Sequence, residues 1–190
     1  MYNIIGINGL YSDGESSTLK ILNHFKNDYN IINFKYPVLG ISNFLKNDKV
    51  EPIIDRLHNM INYDSENIFI CHSYGCYIYL KYYKKYYQFI KNNKVFFIAP
   101  SISSNENIKN LIVFYNENDY ILRSVTYILK PFYSFVDCSM GYSGSTKSIS
   151  INCTNILKYN IIDFSFNHSL YFKNKENISF LVNEICKFIK

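Results

Sequence analysis

A serine stands at the apex of Asn67-Ile-Phe-Ile-Cys-His-Ser-Tyr-Gly-Cys76, where an apolar run stops and a helical pattern begins. A strand, one sharp turn and a helix start would expose the Ser73 hydroxyl at a sheet edge, the backbone context of a nucleophile elbow. Such a turn holds its serine in a strained conformation, so the residues two before and two after must be small for strand and helix to approach. Gly75 meets that demand. Cys71 replaces the first glycine of the G-x-S-x-G pattern and is small enough to be buried there. A competing reading makes Ser73 the cap of the following helix, a frequent use of serine at such turns.

Serine at its free pKa is a poor nucleophile, so a base must accept its proton and a carboxylate should fix the tautomer of that base. Of the four histidines, His24 and His58 fall inside expected helices, and His72 is expected to point away from Ser73. His168 follows the last expected strand, in Phe166-Asn-His-Ser-Leu-Tyr-Phe172. It belongs to the carboxyl edge of the sheet, where open parallel sheets bind ligands. An ordinary surface histidine is the rival explanation. The acid is expected at Asp119, which closes the polar turn after Leu111-Ile-Val-Phe-Tyr115. Glu117 comes too early in that turn, Asp137 falls in an irregular segment and Asp163 lies inside an expected strand. A surface turn would also account for an aspartate at 119.

An oxyanion needs backbone N–H donors aimed at it. One is expected from Tyr74 at the helix start, and the other from the loop Gly6-Ile-Asn-Gly-Leu-Tyr-Ser-Asp-Gly14, with Leu10 the first choice and Tyr11 the second. A plain glycine turn explains the same loop. Pocket walls are sought in Tyr11, Tyr36 to Phe44, Tyr74 and the stretch from Tyr120 to Tyr142, with Tyr11, Tyr36 and Tyr120 as substrate contacts, although core packing accounts for many of these aromatics. Gly141 to Ser148 approaches a phosphate-binding loop, but Thr146 occupies the position where glycine must precede the lysine. A loop or short hairpin is expected there.

These residues need elements to hold them. Short apolar runs alternate with longer helical patterns, as in a mostly parallel sheet with helices on both faces, so the class is α/β. Strands are expected at Ile4 to Ile7, Tyr29 to Phe34, Asn67 to Cys71, Lys94 to Ala99, Leu111 to Tyr115 and Leu157 to Phe164, about six in all. Helices are expected at Ser16 to Lys26, Val50 to Ile61, Tyr74 to Ile90, Asp119 to Leu129 and over the apolar period Ile178, Leu181, Val182, Ile185, Phe188, Ile189. Pro131 to Ser150 has no clear period and reads as a lid or an irregular insertion.

The 190 residues, 48% of them hydrophobic, suit one domain with its own core. The 19 Tyr and 15 Phe without any Trp, beside abundant Asn, Ile and Lys, point to nucleotide bias in the coding sequence rather than to function. A formal charge of +5 does not by itself imply a nucleic-acid partner. The densest basic stretch, Lys81, Lys84, Lys85, Lys91 and Lys94 among Tyr82, Tyr83, Tyr86 and Tyr87, reads as a solvated helix face. Five cysteines without metal-site spacing suit reduced thiols and a cytoplasmic location. No signal peptide and no membrane span are expected.

With these pieces in chain order, the sequence resembles the α/β-hydrolase family along nearly its whole length, as a small serine esterase, lipase or thioesterase-like member. Serine, acid, histidine is that family's order. Asn8-Gly9-Leu10 resembles its His-Gly-x oxyanion loop with asparagine for histidine, and Asn116-Glu-Asn-Asp119 resembles its Gly-x-x-Asp acid turn with asparagine for glycine. The resemblance implies a triad of Ser73, Asp119 and His168, with Tyr74 and Leu10 as oxyanion donors. It implies an acyl-enzyme route needing no cofactor or metal. A small-molecule or lipid-like acyl ester or thioester is the expected substrate, ahead of amides, since no separate cap domain fits in this length. Two rivals remain at this point: a catalytically silent member of the fold that binds a partner, and a nucleic-acid binder using the Lys81 to Lys94 face.

Overall fold

The computed structural model describes residues 2–10, 17–37, 49–90, 92–131, 137–157 and 167–189. Six strands lie in one sheet: β1 (Asn3–Ile7), β2 (Asn30–Phe34), β3 (Asn67–His72), β4 (Lys94–Ile98), β5 (Leu111–Tyr115) and β6 (Ile149–Asn152). Their order is β2-β1-β3-β4-β5-β6 and every pairing is parallel. Parallel strands covered on both faces read as unbroken apolar runs. Ile-Ile-Gly-Ile, Ile-Phe-Ile-Cys and Val-Phe-Phe-Ile have that character, and all three are buried.

Alternation along each strand divides these side chains between two apolar clusters. Ile5, Ile7, Phe69, Cys71, Val95 and Phe97 face α2 (Glu51–Met60) and α3 (Tyr74–Ile90). Ile4, Ile68, Ile70, Phe96 and Ile98 face α1 (Ser17–Leu22), a 3₁₀ turn (Asn167–Phe172) and α6 (Lys175–Ile189). Two further helices, α4 (Tyr120–Leu129) and α5 (Ser139–Ser143), follow β5.

Two expectations need correction, and a third falls on undescribed residues. The sixth strand is Ile149–Asn152, inside the stretch read as irregular. As an edge strand it leaves Ile149, Ser150 and Asn152 exposed, so it lacks the apolar run that marks its neighbours. The strand expected over Leu157 to Phe164 lies outside the described residues except at Leu157, which is in a bend. The first helix stops at Leu22, four residues early. His24 and Phe25 then donate to carbonyls three residues back, so the chain tightens into turns through Asn27 and Asp28, which are weak helix formers.

The strand order reverses beside β1: the chain leaves it for β2 on one side and later returns to β3 on the other. Loops after β1 and β3 therefore diverge at the carboxyl edge and leave a crevice, the usual ligand position in such sheets. The crevice is shaped by α3 closing onto it. A side chain on Gly75 would begin 2.3 Å from the Ile7 carbonyl oxygen and 2.6 Å from that of Asn8. In an open helix alanine would be favoured over glycine by about 1 kcal/mol. Contact with fixed backbone outweighs that gain, since overpacking costs about 1 to 3 kcal/mol and these atoms have no room to yield. Gly75→Ala should therefore lower the urea-unfolding free energy by about 2 kcal/mol; equal or higher stability would contradict the packing described.

Candidate active site

Ser73 follows β3 directly and adopts φ 52°, in the left-handed region that side chains rarely occupy. Its amide donates to the Ile98 carbonyl at 3.0 Å, and its own carbonyl accepts from Cys76 at 3.0 Å. These bonds hold the turn in a strained form and lift the hydroxyl off the sheet edge. Cys71, one alternation away, is fully buried in the α3 face, and its carbonyl accepts from the Cys76 thiol at 3.3 Å. Burial pushes both thiols well above their ordinary range, so they stay neutral.

His168 Nε2 lies 2.7 Å from Ser73 Oγ, and His168 Nδ1 lies 2.7 Å from Asp119 Oδ2. Three side chains drawn from positions 73, 119 and 168 thus form one hydrogen-bonded chain. Asp119 is completely buried and divides its carboxylate between two tasks. Oδ2 meets the histidine, while Oδ1 accepts the Leu122 amide at 3.0 Å and caps α4. The helix cap in this structure is Asp119, and the helix amide helps hold the carboxylate in place. Asn116, where the family pattern has glycine, is buried; its Oδ1 accepts the Asn118 amide and its carbonyl accepts the Asp119 amide, both at 2.9 Å. An asparagine turn thereby delivers the aspartate.

Asn8 braces the other loop. Its Oδ1 accepts from the Thr18 amide at 3.0 Å and the Thr18 hydroxyl at 2.6 Å, its Nδ2 donates to Asn33 at 3.2 Å, and its carbonyl accepts from Tyr36 Oη at 2.6 Å. Gly9 follows, with little room for a side chain: a Cβ there would sit 3.0 Å from Ser73 Cβ. Gly9, Leu10 and Tyr74 border a cavity of about 320 Å³ that also meets Ser73, His72, His168, Ser101, Ile121, Leu122, Val125, Leu129 and Cys138.

Tyr36 is absent from that lining; its hydroxyl is spent on the Asn8 carbonyl, so it supports the loop instead of meeting a ligand there. Tyr120 is also absent and projects into solvent at the start of α4. Tyr11 and the stretch 38–48 lie outside the described residues. Of the stretch read as a lid or insertion, Cys138 reaches the cavity. The basic helix face is partly neutralised, with Lys84 paired to Glu106 and Lys85 to Glu51 and Asp55. Among the described residues no group of three or more His, Cys, Asp or Glu could hold a metal ion, and no helix is long and apolar enough to cross a membrane.

His72 was expected to point away, and here the structure differs. Alternation puts it on the same face as Ile70, the face from which the 3₁₀ turn brings in His168. The two imidazoles stack at 5.2 Å, Phe172 packs edge-on against His72, and Ser17 Oγ shares a hydrogen bond with His72 Nδ1 at 2.9 Å. The sequence signal was available in the strand period, which links residue 72 to 70 and 68.

No family model matches the sequence, and no curated protein does either. Solved structures do match. A YdeN-like hydrolase of Pectobacterium atrosepticum is 13% identical with a TM-score of 0.52, over 99% of this chain and 92% of that one. A CIB-like hydrolase of Thermoplasma acidophilum is 17% identical with a TM-score of 0.52, over 98% and 86%. A cutinase-like protein of Cryptococcus is 14% identical with a TM-score of 0.55, over 100% and 95%. The fold is that of the α/β-hydrolases. These matches span almost the entire chain and agree with the six parallel strands and with the sharp turn at their carboxyl edge.

Burial, reinforced by the neighbouring His168, pushes the His72 pKa well below its ordinary 6.5. The unfolded chain takes up a proton at residue 72 below about pH 6.5, and the folded chain does not. Stability from this residue is thus complete above that pH and declines as pH falls. Urea titrations between pH 7 and pH 5 should show wild-type stability falling more steeply than that of His72→Gln, by at most about 1.4 kcal/mol per pH unit. Superimposable curves would contradict a neutral buried imidazole.

Proposed function

We propose that this protein is a serine hydrolase that cleaves carboxylic esters or thioesters through an acyl-enzyme. The observation that carries the reading is the continuous chain from Ser73 Oγ through His168 to buried Asp119, opening on the cavity. In the first step His168 Nε2 takes the Ser73 proton while Oγ attacks the acyl carbonyl. Asp119 holds Nδ1–H and stabilises the imidazolium that forms. The amides of Tyr74 and Leu10, residues that both border the cavity, are the oxyanion donors in this reading, and each such donor is worth about 3 to 4 kcal/mol in related chemistry. Collapse breaks the carbonyl-to-leaving-group bond, and His168 returns its proton to the departing alkoxide or thiolate. Water, deprotonated by the same histidine, then releases the acid.

The fold supports this reading without carrying it, since one fold hosts many chemistries. The alternative of a silent binding protein has no observation in its favour that the ester-cleaving reading lacks. Hydrolysis of p-nitrophenyl butyrate separates them. Wild-type protein should turn the ester over, and Ser73→Ala should reduce the rate to background. A wild-type rate equal to that of Ser73→Ala would sink the enzyme reading.

The double use of Asp119 gives a sharper expectation. Asparagine caps a helix as well as aspartate does but presents the wrong tautomeric partner to His168. Asp119→Asn should lose about ten-thousand-fold in kcat with little change in unfolding free energy, whereas Asp119→Ala should lose activity and about 1 kcal/mol of stability as well. Equal activity in Asp119→Asn and wild type would remove Asp119 from the mechanism.

A further inference from the structure

One helix supplies most of the apolar wall beside Ser73. Ile121, Leu122, Val125 and Leu129 all line the cavity, and all belong to α4, whose cap is the Asp119 that holds His168. The wall therefore starts at the hydrogen-bonded chain and runs away from it. At about 1.5 Å per residue, Ile121 to Leu129 spans about 12 Å. Among the described residues the cavity presents no Asp, Glu, Lys or Arg in its lining. Burial pushes Tyr74 upward and Cys138 to about 12, and holds His72 unprotonated. A charged acyl group would find no partner along this wall, and an apolar one would be dehydrated by it.

We infer that the α4 wall is a channel for a straight, uncharged acyl chain of medium length, with Val125 and Leu129 setting how long a chain is accepted. The inference rests on the ester-cleaving reading of Ser73. An extended chain advances about 1.2 Å per bond, so a 12 Å wall matches roughly eight to ten carbons. Chains shorter than that leave part of the wall in water, and longer ones pass beyond Leu129. Val125 and Leu129 are half-buried, so larger side chains at either position can be accommodated without displacing the fully packed core. Leu122, buried under the same helix, is excluded as a test position for that reason.

The experiment pairs a kinetic series with a binding series. For p-nitrophenyl esters from acetate to palmitate, wild-type kcat/KM should rise about fourfold per added methylene at first, and peak at eight to ten carbons. Leu129→Trp should move the peak to shorter chains and cut the octanoate-to-acetate ratio by at least tenfold, and Val125→Trp should move it further. In a Ser73→Ala background, methyl octanoate should bind more tightly than methyl butyrate, and adding Leu129→Trp should abolish the difference. If acetate is hydrolysed but the series is flat, or its peak stays in place in both tryptophan variants, the channel is overturned and the hydrolase reading stands. If no ester is hydrolysed while Ser73→Ala still prefers methyl octanoate in a Leu129-dependent way, the channel stands and the hydrolase reading falls. Equal binding of the two methyl esters overturns the channel whatever the kinetics.

Discussion

The Ile7 carbonyl oxygen lies 2.3 Å from the point where a side chain on residue 75 would begin, and that crowding governs the whole carboxyl edge of the sheet. Glycine at 75 lets the first turn of α3 close over the ends of β1 and β3. That closure forces Ser73 into φ 52° and brings Gly9 under it, so the hydroxyl and the Gly9-Leu10 loop share one crevice. The strain is local, of the order of 1 to 3 kcal/mol, and is sustained by the strongly packed β1, β3 and β4 strands on either side.

Asn8, Asn116 and Asp119 are wired to the backbone beside the crevice, which is why they hold their positions. Asn8 and Asn116 occupy places where the family pattern has histidine and glycine, and each fastens a loop through hydrogen bonds that asparagine makes well. Asp119 combines a helix cap and a carboxylate that holds His168 in one buried group, so the position of His168 depends on the start of α4. The same helix then lines the cavity. Stability, orientation of the histidine and the shape of the apolar wall are therefore properties of one element.

Much of this was legible in the sequence because its signals are local. β-branched and aromatic runs announced five strands, and Gly75 after a His-Ser-Tyr step announced the turn. What escaped was set by neighbours. β6 is a polar edge strand whose pairing with β5 leaves no apolar run to read. The 3₁₀ turn approaches from the α1 face, so His72 meets His168, a fact that follows from strand alternation once the incoming side is known. Tyr36 looked like a pocket aromatic, but the carbonyl of Asn8, in the loop after the neighbouring strand β1, claims its hydroxyl. Such pairings are fixed by topology, which a linear reading supplies only in outline.

In the proposed mechanism Ser73 is a nucleophile activated by His168. The most direct measurement is intact-protein and peptide mass spectrometry after exposure to a fluorophosphonate, which reacts with activated serines. A single adduct on the peptide containing Ser73 is expected, greatly slowed in His168→Ala. Absence of any adduct, or an adduct on the neighbouring cavity serine Ser101 in place of Ser73, would contradict that mechanism.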